Sequence, residues 1–235
     1  MRTLRYVAGA VALIVAHACV STEGIPSAPV QTARPDVFSL VDGQLEAMSE
    51  EAIGQLLDAT VAIPPAAKIA VLQLPGPGYR YTKFGYGYGG RGRSPLQSFT
   101  DTLRAELGPA AVGELTALPR IITPSEPTIP ALRETAVRLQ ADALLVYQLS
   151  NEQYRDAKVF REDEIRAYVT VEAVLLDTRT GAVPFTSILS RDTIIRRGPA
   201  DVSLADAQRR AEEAVALRAL AALGRELRGY LMVDE

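Results

Sequence analysis

The periodic segments of this 235-residue chain come in the order helix, then β-α-β-α-β-β-β-α. That order predicts an α+β protein with helices packed on a mixed sheet. Three observations support the expectation. Lys68–Leu74 and Ala143–Leu149 are short apolar runs of the length and composition of buried strands. Ile165–Leu176 and Val183–Ile195 are two longer strand-like runs. The segment between them, Asp177-Thr178-Arg179-Thr180-Gly181, is a hairpin turn with glycine where positive φ is wanted.

In chain order, Leu45, Met48, Ala52, Ile53, Leu56 and Leu57 have helical spacing, so a helix over 45–57 leads into the domain. The first strand, Lys68–Leu74, is bounded by Pro64-Pro65 and Pro75-Gly76. A glycine-rich stretch runs to about Ser94. A helix is expected over Pro95–Leu107, with Leu96, Phe99, Leu103 and Leu107 on one face and Gly108-Pro109 as its stop. Val112–Thr123 reads as a second strand interrupted by Pro119. Thr128–Gln140 reads as a helix with Thr128 as N-cap and Ile129, Leu132, Ala136 and Leu139 inward. The last element is a long helix, Ser203–Arg228, with a Ser203/Asp206 capping box and Gly229 as C-cap. Its alanines Ala207, Ala211, Ala214 and Ala221 are expected to pack on the sheet.

Composition narrows the chemistry. The chain is 48% hydrophobic and 23% charged, with a net charge of −3, which argues against a general nucleic-acid binder. It has one cysteine, Cys19, and one histidine, His17. Arg2 and Arg5 precede an apolar run, Tyr6–Ala16, which is too short to span ~30 Å of hydrocarbon as a helix but suits a signal peptide. The following Ala16-His17-Ala18-Cys19 resembles a bacterial lipoprotein signal, in which the cysteine sulfur takes a diacylglycerol and cleavage leaves that cysteine first. The resemblance implies lipidation at Cys19. With Val20 behind it, it also implies a place in the outer membrane facing the periplasm. The same residues also fit an ordinary Ala-x-Ala cleavage site, which would leave Cys19 as a free thiol.

These boundaries give a signal peptide over 1–18, a lipidated cysteine and Ser/Thr/Pro tether over 19–42, and a single α+β domain over 43–235. Removal of 1–18 leaves 23 basic and 28 acidic residues, a charge of −5, and no histidine. No Ser-His-Asp or Cys-His catalytic arrangement can then form, nor a His-ligated metal site. No cofactor is implied, and no metal or catalytic residues are assigned.

Residues 76–92 hold seven of the chain's 17 glycines and four of its nine tyrosines. No acid occurs between Asp58 and Asp101, whereas Lys68, Arg80, Lys83, Arg91 and Arg93 do. Gly85-x-Gly87-x-x-Gly90 matches a dinucleotide fingerprint in form only, because the strand ends about ten residues earlier and no acid closes the next strand. Two readings fit the stretch. It is a solvated connector, or it is a contact loop whose Tyr79, Arg80, Tyr81, Lys83, Phe84, Tyr86, Tyr88, Arg91 and Arg93 meet an envelope protein or anionic polymer. Glu162, Asp163 and Glu164, beside Arg161 and Arg166, diverge too much for an acid/base pair and read as a solvated turn. Arg191, Asp192, Arg196 and Arg197 read as a charged strand end.

Three segments carry a family resemblance: KIAVLQL at 68–74, ADALLVYQL at 141–149 and VTVEAVLLDTRTGAV at 169–183. They resemble the periplasmic α+β domain shared by the curli-secretion lipoprotein, the amino-terminal domain of Tol protein B, and lipoprotein activators of penicillin-binding proteins. The resemblance covers about 66–229 and implies a channel subunit, scaffold or activator rather than an enzyme. In the curli-secretion member, membrane hairpins extend from strands matching 143–149 and 165–176. Here the connection Ser150–Glu164 contains Glu152, Arg155, Asp156, Lys158, Arg161, Glu162, Asp163 and Glu164, and cannot supply two membrane strands of roughly 9–11 residues. The function expected is therefore a lipid-anchored, periplasm-facing binding protein, scaffold or activator. The alternatives are a subunit of an outer-membrane export assembly and, remotely, a carboxylate-dependent enzyme.

Overall fold

The computed structural model describes residues 48–76, 95–156, 164–196 and 203–232, all within the unit Arg34–Glu235. Helix α1 (Glu50–Leu57) precedes β1 (Ala67–Leu74), α2 (Pro95–Ala111) and β2 (Val112–Ala117). A single 3-10 turn, Arg120–Ile122, leads to α3 (Ile129–Arg138), then β3 (Ala143–Asp156), β4 (Glu164–Asp177), β5 (Phe185–Arg196) and α4 (Leu204–Leu231). The five strands form one sheet in the order β2-β1-β3-β4-β5. Strand β1 is parallel to both β2 and β3, whereas β3–β4 and β4–β5 are antiparallel. The α+β class and mixed sheet expected from the sequence are those of the structure.

Both faces of β1 and of the first half of β3 are covered, which is why these segments are apolar without alternation. On one face, Ile69, Val71, Leu145, Leu149, Val169, Val171 and Leu175 pack with Phe99, Leu103 and Leu107 of α2 and with Val215, Leu220, Leu223 and Leu227 of α4. On the other, Ala70, Leu72, Leu144, Val146 and Leu176 pack with Leu132 and Ala136 of α3. That second helix is short and covers only this part of the sheet. Beyond it β4 alternates: Val169, Val171 and Ala173 are buried, while Glu172 between them is exposed.

Several boundaries differ from the sequence expectation. Helix α1 starts at Glu50, after Ser49, whose Oγ accepts from the Ala52 N–H at 3.2 Å, so Met48 precedes it. Strand β2 ends at Ala117, because Pro119 begins the 3-10 turn. The α2 backbone breaks at Gly108 (φ +71°), the expected stop. Thr128 caps α3 by backbone geometry, with no hydrogen bond from its side chain. Strand β3 runs seven residues past Leu149, in unbroken register from Ala143↔Asp177 to Asp156↔Glu164. Backbone pairing tolerates polar side chains on both faces, so polarity did not end the strand. Glu164 thereby opens β4 instead of lying in a turn. Strand β5 begins at Phe185, after Pro184, which has no N–H to donate.

Helix α4 carries the expected capping box, but its buried stripe is Ala207, Ala211, Val215, Ala219, Leu223 and Leu227. Ala214 and Ala221 are only half-buried. From Ala211, steps of four residues reach Val215 and Ala219, which turns the stripe away from Ala214 and Ala221. Gly229 is not a C-cap, since the helix continues to Leu231 and the Met232 N–H closes on Arg228 O. Tyr230 holds this last turn on β5 by packing against Phe185, with ring centroids 5.4 Å apart.

Candidate contact surfaces

The motif residues gather where β1 and β3 begin. The Lys68 N–H donates to Asp142 Oδ2 at 2.9 Å, and the Asp142 N–H donates to Lys68 O at 2.8 Å. Asp142 O also accepts from the Thr178 N–H at 3.1 Å. One aspartate thus ties together the first residues of β1 and β3 and the turn after β4. In that turn, Asp177 Oδ2 accepts from both the Thr180 N–H at 2.8 Å and Thr180 Oγ1 at 2.5 Å. Arg133 of α3 reaches over the turn and donates to Thr178 O at 3.3 Å and Arg179 O at 2.6 Å. Asp142, Asp177 and Thr180 are therefore spent on holding strand ends.

At the opposite end, β1 runs out beside β3. Gly76 makes a further bridge, and a Cβ there would lie 1.9 Å from Leu149 O, so only glycine lets the chain pass this close. Beneath it the buried Tyr147 donates to Gln73 Oε1 at 3.1 Å. The chain is described again from Pro95, which heads α2. The candidate contact residues between these flanks, Tyr79 to Arg93, lie outside the described residues, as do Cys19, the signal segment, the tether, Glu162, Asp163 and Arg197.

The charged end of β5 is resolved into two faces. Arg191 shares a face with Leu189 and Thr193, toward α4, and Asp192 lies on the other, with Ile188 and Ile194. Arg218 of α4 donates to Thr193 Oγ1 at 3.3 Å, and Arg210 donates to Arg196 O at 3.5 Å. Nothing in the sequence assigned Arg210 and Arg218 to this strand end. Their spacing of eight residues puts them on similar sides of α4, but only the packing of α4 on β5 brings them to the Arg196 carbonyl and to Thr193.

A hollow of about 550 Å³ lies between the end of α2 and β2, lined by Arg104, Leu107, Pro109, Val112, Glu114 and Thr116. Arg104 is engaged by Asp101 at 2.6 Å and by Leu115 O at 2.8 Å. A hydrogen bond from Thr116 (2.7 Å) holds the Glu114 carboxyl below the usual carboxylate range, against desolvation that raises it and with further help from the Lys68 ammonium (3.4 Å). That shift runs away from neutrality, the wrong direction for a general acid or base. Among the described residues, no group of three or more His, Cys, Asp or Glu could hold a metal ion, and no helix is long and apolar enough to cross a membrane.

No protein-family model matches the chain, and none of the curated proteins matches it. Solved structures similar to it include a PelC dodecamer from Paraburkholderia phytofirmans, with 19% identity over 69% of this chain and 88% of that one and a TM-score of 0.37. A minor lipoprotein from Acinetobacter baumannii has 10% identity over 70% of this chain and 92% of its own, with a TM-score of 0.38. Lipoprotein GNA1162 from Neisseria meningitidis has 14% identity over 57% and 88%, with a TM-score of 0.36. Two of the three are lipoproteins by name. At such identities and TM-scores, function has to be read from this chain's own residues.

Proposed function

We propose that this chain is a lipid-anchored protein of the bacterial envelope, held in the outer membrane by an acylated Cys19 and facing the periplasm, where its α+β domain binds a partner without catalysis. The observation that carries the reading is the lone cysteine, placed directly behind a basic start and an eleven-residue apolar run in a chain with no other. A single free thiol in an oxidising compartment would be a liability, and acylation removes it. The absence of catalysis is supported by the lack of histidine after His17 and by the structural duties of Asp142, Asp177 and Glu114. In this reading, the aromatic and basic residues between Tyr79 and Arg93 are the contact loop for an envelope protein or anionic polymer.

The composition of the β3–β4 connection weighs against a pore-forming role. The whole connection Ser150–Glu164 is fifteen residues with Glu152, Arg155, Asp156, Lys158, Arg161, Glu162, Asp163 and Glu164, which cannot supply two membrane strands of roughly 9–11 residues with apolar outward faces. The test of the reading is mass analysis of the amino-terminal peptide of the mature protein. A diacylglycerol-modified Cys19 is the expected result. An unmodified peptide beginning at Cys19 or elsewhere would sink the anchor.

A further inference from the structure

We propose that residues 37–41 of this chain add as an antiparallel strand to the outer edge of β5, so that the tether leaves the domain from a fixed point. The segment is Val37-Phe38-Ser39-Leu40-Val41, bounded by Pro35-Asp36 and Asp42-Gly43, and it lies outside the described residues. Four apolar residues in five, with turn residues on both sides, are a strand signal and not a tether composition. The Ser, Thr and Pro residues of 20–35 make the contrast. In solvent such a run exposes apolar surface with nothing to offset it. On a sheet edge its backbone and its side chains both find partners.

The two sheet edges differ in what they offer. Strand β5 closes the sheet order, and among the described residues nothing pairs with its outer side. It has twelve residues in unbroken register with β4, from Leu175↔Phe185 to Glu164↔Arg196. Strand β2, at the other edge, has six. The Leu118 N–H donates to Val71 O, so the even-numbered residues of β2 bond to β1 and Leu115 O points outward. Arg104 donates to that oxygen at 2.8 Å and so covers part of the edge. Gly113 and Glu114 of β2 are exposed, whereas β5 carries the partly buried Phe185 and Leu189 toward α4 and Ile188, 74% exposed, on its other face. Strand alternation puts Phe38 and Leu40 on one side of the segment and Val37, Ser39 and Val41 on the other. With Phe38 and Leu40 beside Phe185 and Leu189, the valines flank Ile188, and apolar surface is covered on both faces.

The path of the chain selects this segment and sets its direction. Ile69, Ala143 and Asp177 lie in one row across β1, β3 and β4, and Phe185 starts β5 two residues from that row. Strand β5 therefore begins at the sheet end where the chain enters β1. Three strand spacings, about 14 Å, separate β1 from β5. Residues 42–66 cover that distance several times over, even with α1 rising only ~1.5 Å per residue. Just before β1, Ile63 packs on the same cluster as Phe185, Leu189 and Tyr230. Traced back from β1, the chain meets β5 at Phe185, which puts Val41 there and Val37 farther toward Arg196, antiparallel to β5. A strand of another molecule, including a second copy, would have to displace one held close by its own covalent connection. Residues 20–36 then form the free tether, which reaches roughly 60 Å when stretched.

The test is residue-resolved amide hydrogen exchange on the full chain in detergent and on its Phe38→Asp/Leu40→Asp variant. In the wild type, the amides of 37–41 are expected to exchange at least about tenfold more slowly than those of 20–34, at every protein concentration. The double variant is expected to lose that protection and to speed exchange in β5, while β1 and β3 stay as protected as before. Cys19→Ser is expected to leave the protection of 37–41 intact, so the result stands apart from the question of acylation. Exchange of 37–41 as fast as that of 20–34 in the wild type would overturn the proposal. So would a double variant that leaves β5 unaltered or changes β2 instead. Loss of protection throughout the sheet would place 37–41 in the core and off the edge. Protection that disappears on dilution would assign the edge to a second copy.

Discussion

Arg133 lies flat against Gly181. A Cβ on Gly181 would meet Arg133 Cδ at 2.9 Å and Nε at 3.1 Å, and Gly181 itself sits at φ +80°. The glycine thus serves two purposes, as a left-handed turn residue and as the floor on which the arginine reaches the carbonyls of Thr178 and Arg179. This contact joins α3 to the β4–β5 turn. Gly181→Ala is expected to cost about 1–2 kcal/mol from the left-handed backbone alone, and more as Arg133 is displaced. Arg133→Ala, which removes only hydrogen bonds to a partly exposed turn, is expected to cost about 1 kcal/mol or less. Denaturant midpoints at constant slope measure both, and the reverse ranking would refute the description of the turn.

Asp142 is expected to matter through its oxygen rather than its charge. Its carboxylate accepts from the Lys68 N–H, so Asp142→Ala leaves that amide without its partner and should destabilise the domain by about 1–3 kcal/mol. Asp142→Asn retains an acceptor oxygen and should recover more than half of the loss. If asparagine behaves like alanine in equilibrium unfolding, the charge and not the acceptor carries the effect.

The lowered Glu114 carboxyl predicts a small pH dependence with a definite sign. A carboxyl whose folded value lies below its unfolded value stabilises the fold above the ordinary carboxylate range, and that contribution is lost as pH falls through the lowered value. The stability difference between the wild type and Glu114→Gln should therefore be present at neutral pH and vanish in acid. Thr116→Val removes the largest cause of the shift and should move the Glu114 titration, followed by carboxyl carbon NMR, upward toward the ordinary range.

Cys19→Ser tests the anchor in cells. Two or three acyl chains hold a protein stably on a membrane where one is marginal. The serine variant should be found folded in the soluble periplasmic fraction. Its recovery with membranes, resistant to salt, would show that something other than acylation holds the protein there.

The contact role proposed for the residues between Gly76 and Pro95 is tested without disturbing the core. Replacing Tyr86, Tyr88, Arg91 and Arg93 by serine should abolish crosslinking to the partner proposed for these residues while leaving the melting temperature nearly unchanged. Tyrosine and arginine dominate contact energies, and loop length affects stability only weakly, roughly 0.6 kcal/mol per doubling. Unchanged crosslinking by the quadruple variant would make the stretch a connector.

Sequence alone determined the elements whose signal is local. The β1 and β3 runs are apolar because they are covered on both faces, so they announce themselves without knowledge of neighbours. Gly181 and the Ser203/Asp206 capping box are local geometry, and both are where the sequence put them. Boundaries set by distant partners were not legible. Strand β3 continues through Ser150–Asp156 because β4 is there to pair with it, and α4 passes Gly229 because Tyr230 packs on Phe185. The purpose of Asp142 was equally hidden, since its acceptor role depends on Lys68, 74 residues away. The bonds from Arg210 to Arg196 O and from Arg218 to Thr193 Oγ1 also belong to the tertiary structure. Backbone pairing and helix packing act between segments far apart in the chain, and a periodicity read along one segment holds no record of them.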